Sequence, residues 1–352
     1  MSDQTVPLGP LIIDVAGCEL DDEDRALLAH PAVGGAILFT RNFAEPAQLA
    51  ALTAAMRACR PNLLIMADYE GGRVQRFHDG MTRIPPMRRL GQLWHADQQQ
   101  AVALAADTGW LIAAELGALG IDLPLAPVVD IDYGRAETAI GSRAFAGEAE
   151  VVSALAQAFC NGLTQGGSVA TAKHFPGHGH VVPDSHAELP VDERDWAVLQ
   201  ADMAPYRTLI AAGLASIMLA HIRYPAVDEL PASLSPQWIG RILRRDLGFA
   251  GCVFSDDLSM GGAAALGSYR ERVAMALAAG CDYLPVCNNR AAVRAQLADA
   301  ALLAANGGRD RREHLQTLLG HGERAKSLLE LQQNPRWRQA RERLCALNGE
   351  TA

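Results

Sequence analysis

The chain has 352 residues, 49% of them apolar, and a formal net charge of −9. That length and apolar content suit one large domain with a sizeable core. The acidic balance argues against nucleic acid as a partner. The N-terminus does not have the form of a secretory signal, and the apolar runs are too short and broken to predict a membrane span.

Short apolar or β-branched runs alternate with helical patterns along the chain. Leu11–Val15, Ala36–Thr40 and Leu63–Ala67 read as the first three strands. An Ala-rich helix is predicted from Gln98 to about Leu119. Leu123–Asp130 is the fourth strand. Val152, Leu155, Phe159 and Leu163 then recur at helical spacing until Gly166 and Gly167 stop the helix. Ser168–Ala172 is the fifth strand and Asp195–Ala212 a further helix. Ser216–Ala220, Cys252–Ser255 and Tyr283–Cys287 complete the strands. Eight units in series predict a single (β/α)8 TIM-type barrel over residues 1–307. Pro124, Pro127 and Pro285 predict that the fourth and eighth strands are short or bent.

An open doubly wound sheet is the second fold considered. It calls for a Gly-rich phosphate loop after the first strand, and Gly17-Cys18-Glu19-Leu20 is a poor match. Residues 308–352, rich in Arg, Glu, Leu and Gln, are expected to form extra C-terminal helices packed on the barrel. Arg336 to Arg343 reads as a solvated helix face. The seven scattered cysteines include no CxxC spacing. They predict neither a disulfide frame nor a structural zinc, and they fit a reducing compartment.

Several strands end in residues unsuited to a core: Asp68, then Lys173-His174, then His221, then Asp256-Asp257. A parallel barrel brings these ends to one face, where its active sites form. The segment from Lys173 to His186 is rich in His, Gly and Pro and predicts a long loop. Asp184 and His186 are two apart, so on an extended loop they can face the same side. A carboxylate beside an imidazole orients the ring, and the pair can give and take a proton. A carboxylate at a strand end, such as Asp256, can attack an anomeric carbon. Asp257 is expected to point to the opposite face and to serve as a cap or a supporting group.

These motifs resemble glycoside hydrolase family three, and within it the single-domain bacterial β-N-acetylglucosaminidases (β-hexosaminidases). The segments that carry the resemblance are Ala67 to Arg76 (ADYEGGRVQR), Gly141 to Phe145 (GSRAF), Lys173 to His186 and Phe254 to Met260 (FSDDLSM), with Cys287-Asn288-Asn289. The resemblance implies that Asp256 is the nucleophile and that His186, supported by Asp184, is the acid/base. It implies that Asp68, Arg76, Arg143, Lys173 and His174 bind the sugar, while Arg73 supports the loop. It further implies a retaining, exo-acting enzyme of peptidoglycan recycling in the cytoplasm. Terminal N-acetylglucosamine would be removed from muropeptides such as GlcNAc-anhydro-MurNAc(-peptide), by a monomer that needs no cofactor, metal, nucleic acid or membrane. Three departures stand out: His180 after Gly179, Tyr69 where Gln is frequent, and Pro285 in the last strand. The rival readings are a phosphorylase on the same barrel, a metal-dependent hydrolase using His174, His178, His180 and His221, and a sugar-binding barrel without turnover.

Overall fold

The structure is a computed structural model that describes residues 9–136, 138–182, 189–264, 266–299, 311–319, 325 and 327–349. Eight short strands run parallel: β1 (Leu11–Asp14), β2 (Val33–Leu38), β3 (Leu64–Ala67), β4 (Leu123–Pro124), β5 (Thr171–Phe175), β6 (Ser216–Leu219), β7 (Cys252–Ser255) and β8 (Leu284–Pro285). They form a five-stranded sheet in the order β8-β1-β2-β3-β4 and a three-stranded sheet in the order β7-β6-β5. Isolated parallel bridges, Val128 to Lys173 and Phe254 to Tyr283, join the two sheets at their edges. The expected alternation and parallel pairing are present, but the regular, unbroken eight-stranded ring is not. Both seams lie beside the prolines of the fourth and eighth strands. Proline has no N–H to give a ladder, so each seam is closed by a few backbone bonds outside the regular ladders, such as Thr171 N–H to the Ala126 carbonyl (2.8 Å) and Val129 N–H to the Lys173 carbonyl (2.9 Å).

Alternation along the strands sorts the core into two layers. Ile12, Leu64, Met66, Cys252 and Phe254 belong to an inner cluster. Their neighbours Leu11, Ile13, Ile65 and Val253 face the surrounding helices. This is the period of two that lets each strand serve two apolar faces.

Helix Gln98–Ala118 is capped by the Asp97 side chain, which accepts from Gln100 N–H at 2.9 Å. It is the one helix among the described residues with the length and composition to cross a membrane, although the sequence predicts no span. In the fold 72% of its most apolar window is buried, so its character is that of a core helix. It packs on helix Ala149–Gln165, which Gly166 terminates as expected. A Cβ at Gly109 would overlap the Phe159 carbonyl, and one at Gly162 the Ala106 carbonyl, so glycine permits this close approach. The single helix expected over Asp195–Ala212 is two, Trp196–Asp202 and Ala204–Ala211. Pro205 cannot donate within a continuous helix and sits in the first turn of the second.

The tail has two structural roles. Leu315 and Leu318 of helix Arg311–Leu318 enter the inner cluster beside Ile12 and Cys252, which belong to the early part of their strands. Helix Pro335–Asn348 packs on Gln98–Ala118, where Trp337 Nε1 donates to buried Glu115 Oε1 at 2.8 Å.

Candidate active site

The C-terminal ends of the strands open into a cavity of about 470 Å³. Asp68, Arg76, Arg143, Lys173, His174 and Asp256 all line it, so the structure gathers six of the eight site residues named from sequence. The other two, Asp184 and His186, lie outside the described residues.

Each side chain is placed by a local device. Asp68 follows β3 directly, and the hairpin Tyr69–Gly71 with Val74–Gln75 carries Glu70 in and returns Arg76. Its turn uses Gly71 and Gly72 at φ 94° and 56°, a backbone region where a side chain is strained. On β5 the pairing with β6 shifts register between Lys173 and Phe175. The extra residue lets two consecutive side chains, Lys173 and His174, reach the cavity. Asp256 and Asp257 lie just past the end of β7. Strand alternation no longer governs them there, and both line the cavity, which corrects the expectation that they face opposite ways.

The polar wall is an ion network. Lys173 Nζ lies 2.9 Å from Asp68 Oδ1 and 2.6 Å from Glu70 Oε1. Arg76 reaches the other Asp68 oxygen at 2.6 Å. Arg143 donates to Glu70 through Nε at 2.7 Å and through NH2 at 2.8 Å. Burial by itself would raise both carboxyls. Lys173 and Arg76 outweigh it at Asp68 and hold that carboxyl well below the usual range. Arg143 and Lys173 outweigh it at Glu70, whose pKa falls to about 2. Lys173 is raised in turn, because Asp68 and Glu70 overcome its burial.

A second layer of contacts supports this wall. His174 Nδ1 lies 2.8 Å from Asp130 Oδ2, and its Nε2 lies 3.5 Å from Arg143 NH2. His221 is buried, and burial lowers its pKa. Its Nε2 lies 3.0 Å from the Asp257 carbonyl, which can only accept, so the neutral ring donates there and takes the Ser233 hydroxyl at Nδ1 (2.6 Å). Asp256 Oδ1 accepts from Asp257 N–H at 2.8 Å. Asp257 Oδ1 accepts from Ser259 N–H (2.9 Å) and Cys287 N–H (3.2 Å), the supporting role expected of it. Burial raises the Asp257 carboxyl to about 6. Arg73 donates to the carbonyls of Ala139 and Ile140 and so braces the loop, as expected.

Of the four histidines of the metal-hydrolase reading, the His174 and His178 rings lie edge to face at 5.6 Å, and His174, His180 and His221 each have partners of their own. His174 turns to Asp130, His221 to Ser233 and the Asp257 carbonyl, and His180 to Arg135 and Asp192. Cys252, Asp282 and His314 do come together, at the start of β7 and so at the far end of the strands from the cavity. There the Asp282 carboxylate accepts from Arg244 at 3.0 Å and from Val253 N–H at 2.8 Å. Of the sequence departures, Tyr69 is fully buried, with its hydroxyl donating to the Phe77 carbonyl, and it does not line the cavity.

Sequence reasoning missed Asp130 and undervalued Glu70. Both are charged residues that are almost fully buried, at 1% and 2% exposure. A charge so placed needs a partner, and the available signal was their position beside strands that end in cations.

Comparison with known proteins identifies the family. Residues 9–317 match the model of the glycosyl hydrolase family 3 N-terminal domain. The β-hexosaminidase of Thiobacillus denitrificans is 47% identical over 98% of this chain and 96% of its own length. That of Chromobacterium violaceum is 52% identical over 84% of this chain and 83% of its own. Native NagZ from Neisseria gonorrhoeae superposes with a TM-score of 0.89 at 40% identity, over 97% of this chain and 98% of that one. The same enzyme in complex with N-trifluoroacetyl-D-glucosamine gives 0.86 at 40% identity over the same shares. The chain belongs to glycosyl hydrolase family 3 and is a glycoside hydrolase of its β-hexosaminidase group.

Proposed function

We propose that this β-N-acetylhexosaminidase is a retaining, exo-acting enzyme that releases terminal N-acetylglucosamine through a glycosyl ester on Asp256. The observation that carries the reading is that Asp256 lines the same cavity as Asp68 and Lys173. The two sheets are taken as arcs of one (β/α)8-type barrel, which sets these strand ends around a common mouth. Asp68 accepts from sugar hydroxyls, while Lys173, Arg76 and Arg143 donate to sugar oxygens and His174 completes the wall. In the first step Asp256 attacks the anomeric carbon as protonated His186, oriented by Asp184, gives its proton to the departing aglycone. In the second, His186 takes a proton from water, which hydrolyses the ester. Asp257 is less suited to be the acid, because its Oδ1 already accepts two backbone N–H groups.

The complex of the gonococcal relative with an N-acylated glucosamine supports the sugar. A muropeptide such as GlcNAc-anhydro-MurNAc(-peptide), a cytoplasmic location and a monomeric state are part of the same proposal. Trapping with a 2-fluoro sugar and peptide mapping tests it. Label on Asp256 is the expected result; label on Asp257, or none with an active enzyme, overturns it. Running the reaction with and without phosphate, and scoring free sugar against sugar phosphate, tests hydrolysis against phosphorolysis.

A further inference from the structure

Asp130 follows the seam between β4 and β5, where Val129 N–H donates to the Lys173 carbonyl. Its carboxylate is 1% exposed and receives three donors. Oδ1 accepts the backbone N–H of His178 at 2.7 Å and that of His174 at 3.3 Å. Oδ2 lies 2.8 Å from His174 Nδ1. Burial alone would raise this carboxyl, but the donors from His174 and His178 outweigh it and hold it below its ordinary value. An ionised carboxylate has no proton to give, so the bond to His174 requires the hydrogen on Nδ1. The other nitrogen, Nε2, lies on the cavity side of the ring 3.5 Å from Arg143 NH2, and because a guanidinium can only donate, a lone pair on Nε2 is what fits there.

We infer that Asp130 is a positioning residue that holds His174 in the neutral Nδ1–H tautomer, so that Nε2 accepts a hydrogen bond from one hydroxyl of the terminal sugar. This rests on the proposed glycosidase reading and adds a determinant of which sugars fit. The rest of the wall shows why such an acceptor is useful. Lys173, Arg76 and Arg143 are donors only, and Asp68, whose two oxygens each already receive one of these cations, keeps only part of its acceptor capacity for a hydroxyl. A sugar hydroxyl presents a hydrogen as well as lone pairs, and a wall of donors leaves that hydrogen poorly matched. Asp130 and His174 come from adjacent strands, so the tautomer is set before substrate arrives.

The test has two independent arms. Long-range ¹H–¹⁵N spectra of the unliganded enzyme report the His174 tautomer without any turnover. The expected pattern at pH 7 is hydrogen on Nδ1 and a bare Nε2; hydrogen on Nε2, whether alone or on a doubly protonated ring, overturns the inference. The second arm compares wild type with Asp130→Asn on aryl N-acetylglucosaminides lacking one hydroxyl at a time. One deoxy substrate should cost the wild type about tenfold in kcat/KM, the scale of one hydrogen bond in a site built to receive it. In Asp130→Asn that penalty should shrink toward unity while the full substrate falls by a similar factor. Equal losses on every sugar, or an unchanged tautomer in the variant, would mean that Asp130 only stabilises the fold. The 2-fluoro label on Asp256 reports the glycosidase reading separately, so the two can fail independently.

Discussion

Replacing Glu70 by Gln removes the charge that holds two cations lining the cavity. Glu70 is 2% exposed and takes two hydrogen bonds from Arg143 and an ion pair from Lys173. Its pKa moves from an ordinary 4.5 to about 2, equivalent to about 3 kcal/mol of preference for the ionised form in the folded protein. That agrees with the ~3–5 kcal/mol typical of breaking a buried pair on one side. Over 352 residues, at roughly 2 cal/mol/K of unfolding entropy each, ~3 kcal/mol lowers Tm by about 4 °C. Because the folded pKa is depressed, the contribution is complete above about pH 4.5 and fades as pH falls toward about 2. Differential scanning calorimetry of wild type and Glu70→Gln from about pH 4 to pH 8 reads this directly. A gap near 4 °C that is constant at neutral pH and narrows in acid is expected. Equal Tm values, or a gap that widens in acid, would refute the electrostatic argument.

Asp257 has the opposite sign: its carboxyl is raised from 3.8 to about 6 by burial, so the folded chain is favoured below about pH 4 and loses that advantage as pH rises to about 6. Asp257→Asn keeps an acceptor for Ser259 and Cys287 and should raise Tm at pH 8 by up to about 4 °C, less where cavity water screens the charge, and hardly at all at pH 4; a gain at pH 4 equal to that at pH 8 would contradict this. Glu115 accepts from Thr82 N–H, the Thr82 hydroxyl and Trp337 Nε1. Glu115→Ala strands these buried donors and should cost about 2–4 kcal/mol by chemical denaturation, with a loss under 1 kcal/mol disproving the tether. His186→Ala should slow natural substrates at least tenfold more than aryl glycosides with good leaving groups, which need little protonation; equal losses in kcat on both would remove it as the acid.

Local pattern made much of the fold and site readable. The runs Cys252–Ser255 and Leu63–Ala67 carry strand chemistry with a carboxylate just beyond, and in a parallel α/β fold that position alone places Asp256 and Asp68 on one face. Contacts between distant segments were not readable. Glu70 meets Arg143 across 73 residues, and Asp130 meets His174 across 44. Nothing in either local sequence specifies the approach, and Asp130 reads there as one more strand residue. The seams were half readable: Pro124, Pro127 and Pro285 announced weak pairing, but not that the ladder would divide into sheets of five and three strands. Pro205 likewise marked a helix break within a run whose apolar spacing suggested continuity.

The charge pattern of the cavity also bears on how a neutral sugar is bound. Lys173, Arg76 and Arg143 already face Asp68 and Glu70 in the unliganded chain. Ordering these long side chains is therefore a cost met in folding, and binding need not meet it again. A carboxylate has about four acceptor positions, so Asp68 can take a sugar hydroxyl without releasing Lys173 or Arg76. If the network were loose, each sugar hydroxyl would have to compete with an ion pair, and the wall would favour anions over sugars. Fixed pairing cancels most of that preference and leaves directional donors and acceptors. Asp256 borders the same space, and its Oδ1 accepts the backbone N–H of Asp257 at 2.8 Å. The cations proposed to recognise the sugar thus spend their charge on Asp68 and Glu70, and what they offer a neutral ligand is hydrogen-bond direction rather than net charge.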